Sequence, residues 1–410
     1  MIEVKYNPLH DKIPVKLWTQ YDKLESGAKE QIEHLQQLPF AFHHISVMPD
    51  VHQGYGMCIG GVLATERVVV PNAVGVDIGC GMCAVKTSLK ANQLDKETLK
   101  KIMDKIREVI PLGMNHHKEK QDEKLMPESN ILSAMGANES VVFSEYNSAL
   151  KQLGTLGCGN HFIEIQKDTK DSVWIMIHSG SRNLGYKVAK YYNDLAIKLN
   201  KQWFSSVPKE WELAFLPIDS PEGQNYLSEM QYCVDFALAN RKLIMQRVID
   251  IFATFYGDGF PLNSDNFAFR VEPIINIAHN YARLENHFGK NVIVHRKGAT
   301  SARNGEIGII PGSQGTKSYI VSGLGNSESF ISCSHGAGRT MSRTKAQTEL
   351  NLEEEIKLMD NQGIVHGIRN RENLDEAPGA YKNITEVMHN QADLVEILIE
   401  LTPLLVVKGD

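Results

Sequence analysis

The stretch Val74-Gly75-Val76-Asp77-Ile78-Gly79-Cys80-Gly81-Met82 sets a carboxylate and a thiol three positions apart among glycines. Glycine tolerates positive φ, so a sharp turn here can aim Asp77 and Cys80 at one centre. An oxygen donor beside a sulfur donor suits a metal ion. The plainer reading is an apolar strand, a tight turn and a buried cysteine, because free cysteine behaves as a small hydrophobe.

Four histidines share one local setting. His161 follows the glycine turn Gly157-Cys158-Gly159-Asn160 and precedes Phe162-Ile163-Glu164. His178 ends the apolar run Val173-Trp174-Ile175-Met176-Ile177, and His279 ends Ile274-Ile275-Asn276-Ile277-Ala278. His335 stands between Phe330-Ile331-Ser332-Cys333-Ser334 and Gly336-Ala337-Gly338-Arg339. Any one of them alone reads as a structural histidine. Four at strand ends beside glycine, serine or asparagine read as side chains converging from a rigid backbone.

Asp77, Cys80, His161, His178 and His279 make five candidate ligands. A single tetrahedral zinc takes four, and a catalytic zinc leaves one position open. Five mixed donors fit two neighbouring ions, with the Cys80 thiolate between them. The donor set admits Mn²⁺, Zn²⁺, Co²⁺ or Fe²⁺, and paired ions recur in phosphoryl chemistry. Ile310-Pro311-Gly312-Ser313-Gln314-Gly315-Thr316-Lys317-Ser318 offers N–H and hydroxyl groups to a phosphate, although it lacks P-loop spacing. Arg182, Lys297, Arg303, Arg339, Arg343, Lys345 and Lys408 supply cations near these turns.

The elements that must position these groups are partly legible. Alternation around Ile45 and Val47 predicts a strand ending at Pro49, with Asp50 and His52 just beyond it. Ala84 to Thr87 reads as strand, which argues against a redox role for Cys80-x-x-Cys83 and leaves Cys83 as a buried thiol. A helix is expected over Tyr21–Leu38, and another where Leu99, Ile102, Met103 and Ile106 recur. Residues 225–255 predict one long helix, or two broken near Asn240. Residues 112–150 are polar and weakly patterned, with His116-His117 in a solvated loop. Charged helical segments are expected through about Glu400, then a last strand Leu404–Lys408. The fold class is α+β: a single large mixed α/β domain over residues 1–410. Short strands and glycine turns converge on a central metal site, with helices outside and residues 112–150 and 200–260 peripheral.

The chain has 410 residues and a net charge of −6, which argues against coating nucleic acid through bulk charge. Six cysteines are too sparse for a disulfide framework at this length. No stretch approaches the ~20 apolar residues of a membrane span, and the first residues show no apolar signal region. No membrane role and a cytoplasmic location are expected.

From about residue 40 onward the chain resembles the RtcB family of GTP-dependent RNA-splicing ligases. The resemblance rests on ordered motifs: Met48-Pro49-Asp50-Val51-His52, Gly75 to Met82, Gly159 to Glu164 and His178-Ser179-Gly180-Ser181-Arg182. It continues with His279-Asn280-Tyr281, Arg296-Lys297-Gly298-Ala299, Pro311-Gly312-Ser313, Ser334 to Arg339 and Lys408-Gly409. It implies a fold of the RtcB type. It also implies joining of RNA 3′-phosphate or 2′,3′-cyclic phosphate ends to 5′-hydroxyl ends, in tRNA splicing or RNA repair, with GTP and two Mn²⁺ ions. Asp77, Cys80 and His161 would hold one ion; Cys80, His178 and His279 would hold the other. His335 would be the guanylylated nucleophile. Asn160, His161, Phe162, Ile163 and Glu164 would line the guanylate site with His279, Asn280, Pro311, Gly312, Ser313, Gln314 and Ser318. His335, Gly336, Ala337, Gly338 and Lys408 would complete it, and Glu164 would read the guanine edge. Arg182, Arg303 and Arg339 would contact RNA phosphates, and a helper protein could activate the enzyme. His43 and His295 have no assigned role and are expected to be structural or RNA-facing.

Two other readings compete. A dimetal phosphodiesterase or nuclease would use the same ligands but leave His335 and Lys408 without work. A non-catalytic, metal-dependent RNA-binding protein fits poorly with the negative charge and the surplus of ligand-type residues.

Overall fold

The computed structural model describes residues 1–5, 13–128, 140–257 and 269–409. Parts of the two segments expected at the periphery, residues 129–139 and 258–260, lie outside the described residues. Strands and helices mix along the chain, as an α+β reading requires. Among the described residues no helix is long and apolar enough to cross a membrane.

Period-two alternation builds the central layer. A seven-stranded sheet has the order Ile275–Ala278, Gly81–Lys90, Ser172–Ser179, Phe162–Asp168, Val395–Lys408, Ser318–Gly323 and Ile307–Ile310. Every neighbouring pair in it is antiparallel. Cys83, Val85, Ile163, Ile165, Ile175 and Ile177 share one core cluster with two helices. Met82, Ala84, Phe162, Trp174 and Met176, one residue out of phase, form a separate cluster. On the strand Val395–Lys408 a register shift between Pro403 and Leu405 switches the phase, so Leu401 and Leu405 belong to different clusters. The register then aligns Lys408 with Phe162, Phe162 with His178, and His178 with Met82. One row across four strands therefore carries several candidate site residues.

Two helices cover the Cys83 face. In Lys96–Val109, Asp95 caps the Thr98 N–H at 2.7 Å, and Leu99, Ile102, Met103 and Ile106 are buried. Pro221–Tyr256 runs unbroken for 36 residues, with Ser220 capping Gly223 N–H at 3.1 Å. Its first half packs with Val188 and Tyr192; its second half, Ile244 to Phe252, packs on the sheet. The segment 200–260 was expected at the periphery, with helices outside. This helix instead buries seventeen residues along its length and is part of the core. Asn240 does not break it, because its amide bonds to a neighbouring loop rather than to its own helix.

A six-stranded sheet has the order Glu3–Lys5, Val15–Leu17, Ala41–His52, Ile59–Thr65, Lys290–Lys297 and Asn280–His287. The strand expected to stop at Pro49 continues to His52. Its pairing with Ile59–Thr65 shifts register between Val47 and His52, so the proline, which has no N–H to donate, falls in the irregular stretch. Asp50 thus lies inside a strand and is fully buried.

Four other expectations change. Val74 belongs to the short helix Pro71–Val74, and Gly75 to Cys80 are irregular, with φ of +98° at Gly75 and +72° at Gly79. The strand begins only at Gly81. Val141–Gln152 is a helix capped by Ser140 within the stretch that showed little pattern. The last strand starts at Val395, where Val395, Ile397 and Ile399 favour extended backbone over the helix expected through Glu400. His117 is half-buried and bonded to Arg247 at 2.8 Å, while His116 is exposed.

Candidate metal centre

Four segments meet at one cavity of about 890 Å³. Asp77 and Cys80 come from the irregular turn before Gly81; His161 immediately precedes the strand Phe162–Asp168. His178 sits near the end of Ser172–Ser179, and His279 follows Ile275–Ala278. Backbone bonds lock the loops together: Gly79 N–H donates to Asn280 O at 2.8 Å and His279 N–H to Cys80 O at 2.8 Å. Asn280 Nδ2 holds Asp77 O at 3.0 Å, and its Oδ1 accepts Gly298 N–H at 2.8 Å.

The donor atoms form two triads that share Cys80: Cys80, His178 and His279, and Asp77, Cys80 and His161. Within each, the atoms lie within 4.8 Å of one another. Cys80 Sγ is 3.3 Å from His178 Nε2 and 3.4 Å from His161 Nε2; His178 Nε2 is 3.4 Å from His279 Nε2. His161 Nε2 is 3.1 Å from Asp77 Oδ2. Outer bonds choose the tautomers. His178 Nδ1 donates to Asn160 O at 3.0 Å, which turns its Nε2 lone pair inward, while His161 Nδ1 faces both Leu156 O at 2.9 Å and Arg182 Nη1 at 3.1 Å. Gly180 leaves room for the carboxylate, since a Cβ there would stand 2.2 Å from Asp77 Oδ1.

Protonation suits a cation. Burial holds His161 below the usual imidazole range, and burial with neighbouring charges holds His178 and His279 well below it, so all three are neutral donors. Burial would raise the Asp77 carboxyl, but contact with His161 and the Arg182 guanidinium oppose this and hold it below its ordinary value. Burial and the Asp77 carboxylate push the Cys80 thiol well up, so it is protonated without a cation; a bound divalent ion would deprotonate it. Mixed O, N and S donors with these tautomers fit a pair of divalent metal ions.

Beside the triads, His335 follows the strand Ser332–Ser334. Its Nδ1 lies 2.6 Å from Asp50 Oδ2, which also accepts the backbone N–H of His335 at 3.1 Å and of Gly336 at 3.3 Å. With Nδ1–H committed to Asp50, a neutral His335 ring presents its Nε2 lone pair, which can act as a nucleophile. The His335 and His279 rings are 4.8 Å apart.

The same cavity holds a carboxyl and a cationic wall. Glu164 is buried, and burial raises its carboxyl to about 8; Gln166 Nε2 donates to it at 2.5 Å. Glu376 gathers Arg339 at 3.1 Å, Arg343 at 2.8 Å and the Tyr381 hydroxyl. Gln314 Nε2 donates to Glu376 O at 2.7 Å. Arg182 and Lys408 also line the cavity, as do Asn160, Phe162 and Asn280, the turn Pro311 to Gln314, and Gly336 to Gly338.

Three predicted residues stand apart. The Ile163 side chain is in the core on the Cys83 face. Ser318 is buried one layer behind the turn, where its Oγ accepts Gly312 N–H at 3.2 Å. Arg303 is exposed, 3.9 Å from Glu285, and does not line the cavity. His295 is structural: Nδ1 donates to Leu63 O at 3.1 Å and Nε2 accepts Val70 N–H at 2.9 Å. His43 stacks on Phe288 with ring centroids 4.0 Å apart, away from the cavity. Lys297 lines the wall with its ammonium on Asn72 O at 3.0 Å, and burial brings it down to about 8. Asp50 was seen in the sequence but given no role. Its signal was an acid inside an apolar strand, which must find a partner when buried.

A family model described as tRNA-splicing ligase RtcB matches residues 31–409. The chain is 41% identical to the RNA-splicing ligase RtcB of Escherichia coli (strain K12), covering 97% of this chain and 98% of that protein. It is 32% identical to the tRNA-splicing ligase RtcB of Thermococcus kodakarensis over 93% of this chain and 90% of the relative. Against RNA-splicing ligase RtcB homolog 1 of Entamoeba dispar the identity is 33%, over 88% and 78% of the two chains.

Proposed function

Because the chain belongs to the RtcB family of tRNA-splicing ligases and is an RNA ligase, we propose that it joins RNA 3′-phosphate or 2′,3′-cyclic phosphate ends to 5′-hydroxyl ends through a guanylylated His335. GTP is the co-substrate and two Mn²⁺ ions are the metals. The observation that carries the reading is the Asp50–His335 bond, which leaves Nε2 free in the cavity that holds both triads and Glu164.

Asp77, Cys80 and His161 would hold one ion, and Cys80, His178 and His279 the other. Bound ions supply charge neutralisation at phosphate oxygens. His335 Nε2 attacks the α-phosphorus of GTP; a P–N bond forms and pyrophosphate leaves. The Nδ1–H bond to Asp50 stabilises the positive charge that develops on the ring. An oxygen of the RNA 3′-phosphate then attacks the same phosphorus, the P–N bond breaks, and an RNA-3′-pp-5′-G end results. The 5′-hydroxyl attacks the RNA phosphorus and releases GMP. A cyclic phosphate is first opened by water to the 3′-phosphate. Glu164, as a carboxylate, accepts the N1–H and amino group of guanine, a pairing adenine cannot offer. Lys408, Arg182 and Arg339 supply positive charge along the phosphate path. Six free cysteines, five of them buried, and the need for Cys80 as a thiol support a reducing compartment, the cytoplasm.

The test uses an RNA with a 2′,3′-cyclic phosphate and no 5′-hydroxyl partner. With GTP and Mn²⁺ it should accumulate a guanylate-capped 3′ end. Adding a 5′-hydroxyl RNA should convert the capped species to joined product and GMP. Cleavage of the RNA without capping would favour the nuclease reading.

A further inference from the structure

The long helix Pro221–Tyr256 carries a fully buried arginine at its middle. Arg241 Nη1 donates to Gly79 O at 2.9 Å and Ser179 O at 2.8 Å, and its Nε donates to Asn276 Oδ1 at 2.7 Å. Each acceptor belongs to a different ligand-bearing segment. Gly79 precedes Cys80, Ser179 follows His178, and Asn276 stands in the strand that delivers His279. These three ligands make up one of the two triads. We propose that Arg241 is the positioning residue of the Cys80–His178–His279 metal site, tying its three segments through one guanidinium without touching a ligand atom.

The chemistry of the side chain fits that task. A guanidinium is planar and presents its donors in a fixed fork, so it sets the spacing of several acceptors at once. A buried charge is costly unless paired or hydrogen-bonded. The three bonds of Arg241 go to two carbonyls and one amide, and Nη2 has no hydrogen-bond partner among the described residues. Asn276 is itself held from the helix, since its Nδ2 donates to Leu238 O at 2.9 Å. Neighbouring Asn240 anchors the facing loops: its Oδ1 accepts Gly154 N–H at 2.7 Å, and its Nδ2 reaches Ser179 Oγ at 3.1 Å and Gly180 O at 3.2 Å. The helix is therefore pinned to the centre at two successive residues.

The inference rests on the dimetal reading above, and the test separates the two. Co²⁺ binding is measured by equilibrium dialysis and by the thiolate-to-cobalt absorption band, for wild type, Arg241→Met, Arg241→Lys and His279→Ala. Wild type should bind two ions. Arg241→Met should weaken one of them on the order of 10–100-fold, resemble His279→Ala in its spectrum, and keep its circular dichroism. Arg241→Lys, which still reaches a carbonyl, should recover part of the loss. If Arg241→Met fails to fold, Asn276→Ala, which removes the Nε partner together with the Asn276 Nδ2 bond to Leu238 O, should show the same selective weakening. Two ions at wild-type affinity in a folded Arg241→Met, or in Asn276→Ala where that variant carries the test, would overturn the assignment and leave Arg241 a stability residue. A wild type that binds no pair of ions would overturn the dimetal reading itself.

Discussion

The Asp50 carboxylate accepts His335 Nδ1–H at 2.6 Å and the His335 backbone N–H at 3.1 Å. One buried acid thus fixes both the tautomer and the seat of this histidine. The side chain is held from a strand of the six-stranded sheet, while the metal ligands hang mainly from the seven-stranded sheet. His335 and the two donor triads are brought together where segments of the two sheets converge.

Asp50→Asn should slow covalent guanylylation on the order of 10²–10⁴-fold, the range for losing the partner of a catalytic histidine. GMP affinity should change far less, because the carboxamide oxygen of the asparagine can still accept the His335 and Gly336 backbone N–H groups that shape the pocket. Quenched-flow labelling alongside calorimetric GMP binding checks both halves.

Metal binding should release a proton. Burial keeps the Cys80 thiol protonated in the metal-free protein, and a metal-bound sulfur is a thiolate. Apparent metal affinity should therefore rise with pH. Calorimetry at neutral pH in buffers of different ionisation enthalpy reads the proton count. Cys80→Ala should bind weakly and release none from this position.

Glu164 gives a second pH dependence. Burial raises its carboxyl from the ordinary 4.5 to about 8, so below pH 8 the empty pocket holds mostly the acid. Guanine pairing needs the carboxylate. GMP affinity should rise as pH increases from 6.5 toward 8 and level off above it. Glu164→Gln should remove that slope and most of the preference for guanine over adenine, measured by competition with adenine nucleotides.

Gly180→Ala should disturb the other half of the centre. The new Cβ would stand 2.2 Å from Asp77 Oδ1 and must displace that side chain. The Asp77-containing ion should weaken by about 10-fold or more, while the His279-containing ion changes less. Metal titration of this variant beside Arg241→Met compares the two triads directly.

The site was more legible in the sequence than the fold that holds it. Asp77, Cys80, His161, His178 and His279 stand at strand ends and glycine turns, where residue type and neighbours betray function, and all five donors face one cavity. Asp50 was harder to read because Pro49 made its strand seem finished, and only the partner strand's shifted register lets the chain continue. Asn240 and Arg241 were harder still. A polar pair within an apolar stripe reads as a helix break, and four of its partners, Gly154, Gly79, Ser179 and Gly180, are 60 to 162 residues away. The Val395–Lys408 strand was shortened because Glu396 and Glu400 looked helical, while its β-branched residues pair with Ser318–Gly323. Local pattern carries chemistry well; it carries long-range pairing poorly.

The central claim is that His335 is guanylylated in a metal-dependent step. It is tested most directly by incubating the protein with Mn²⁺ and GTP labelled at the α-phosphate. The protein should acquire an acid-labile label that is absent in His335→Ala and strongly reduced in Cys80→Ala. Full labelling in His335→Ala, or RNA joining by wild type with no labelled protein at any time, would contradict it.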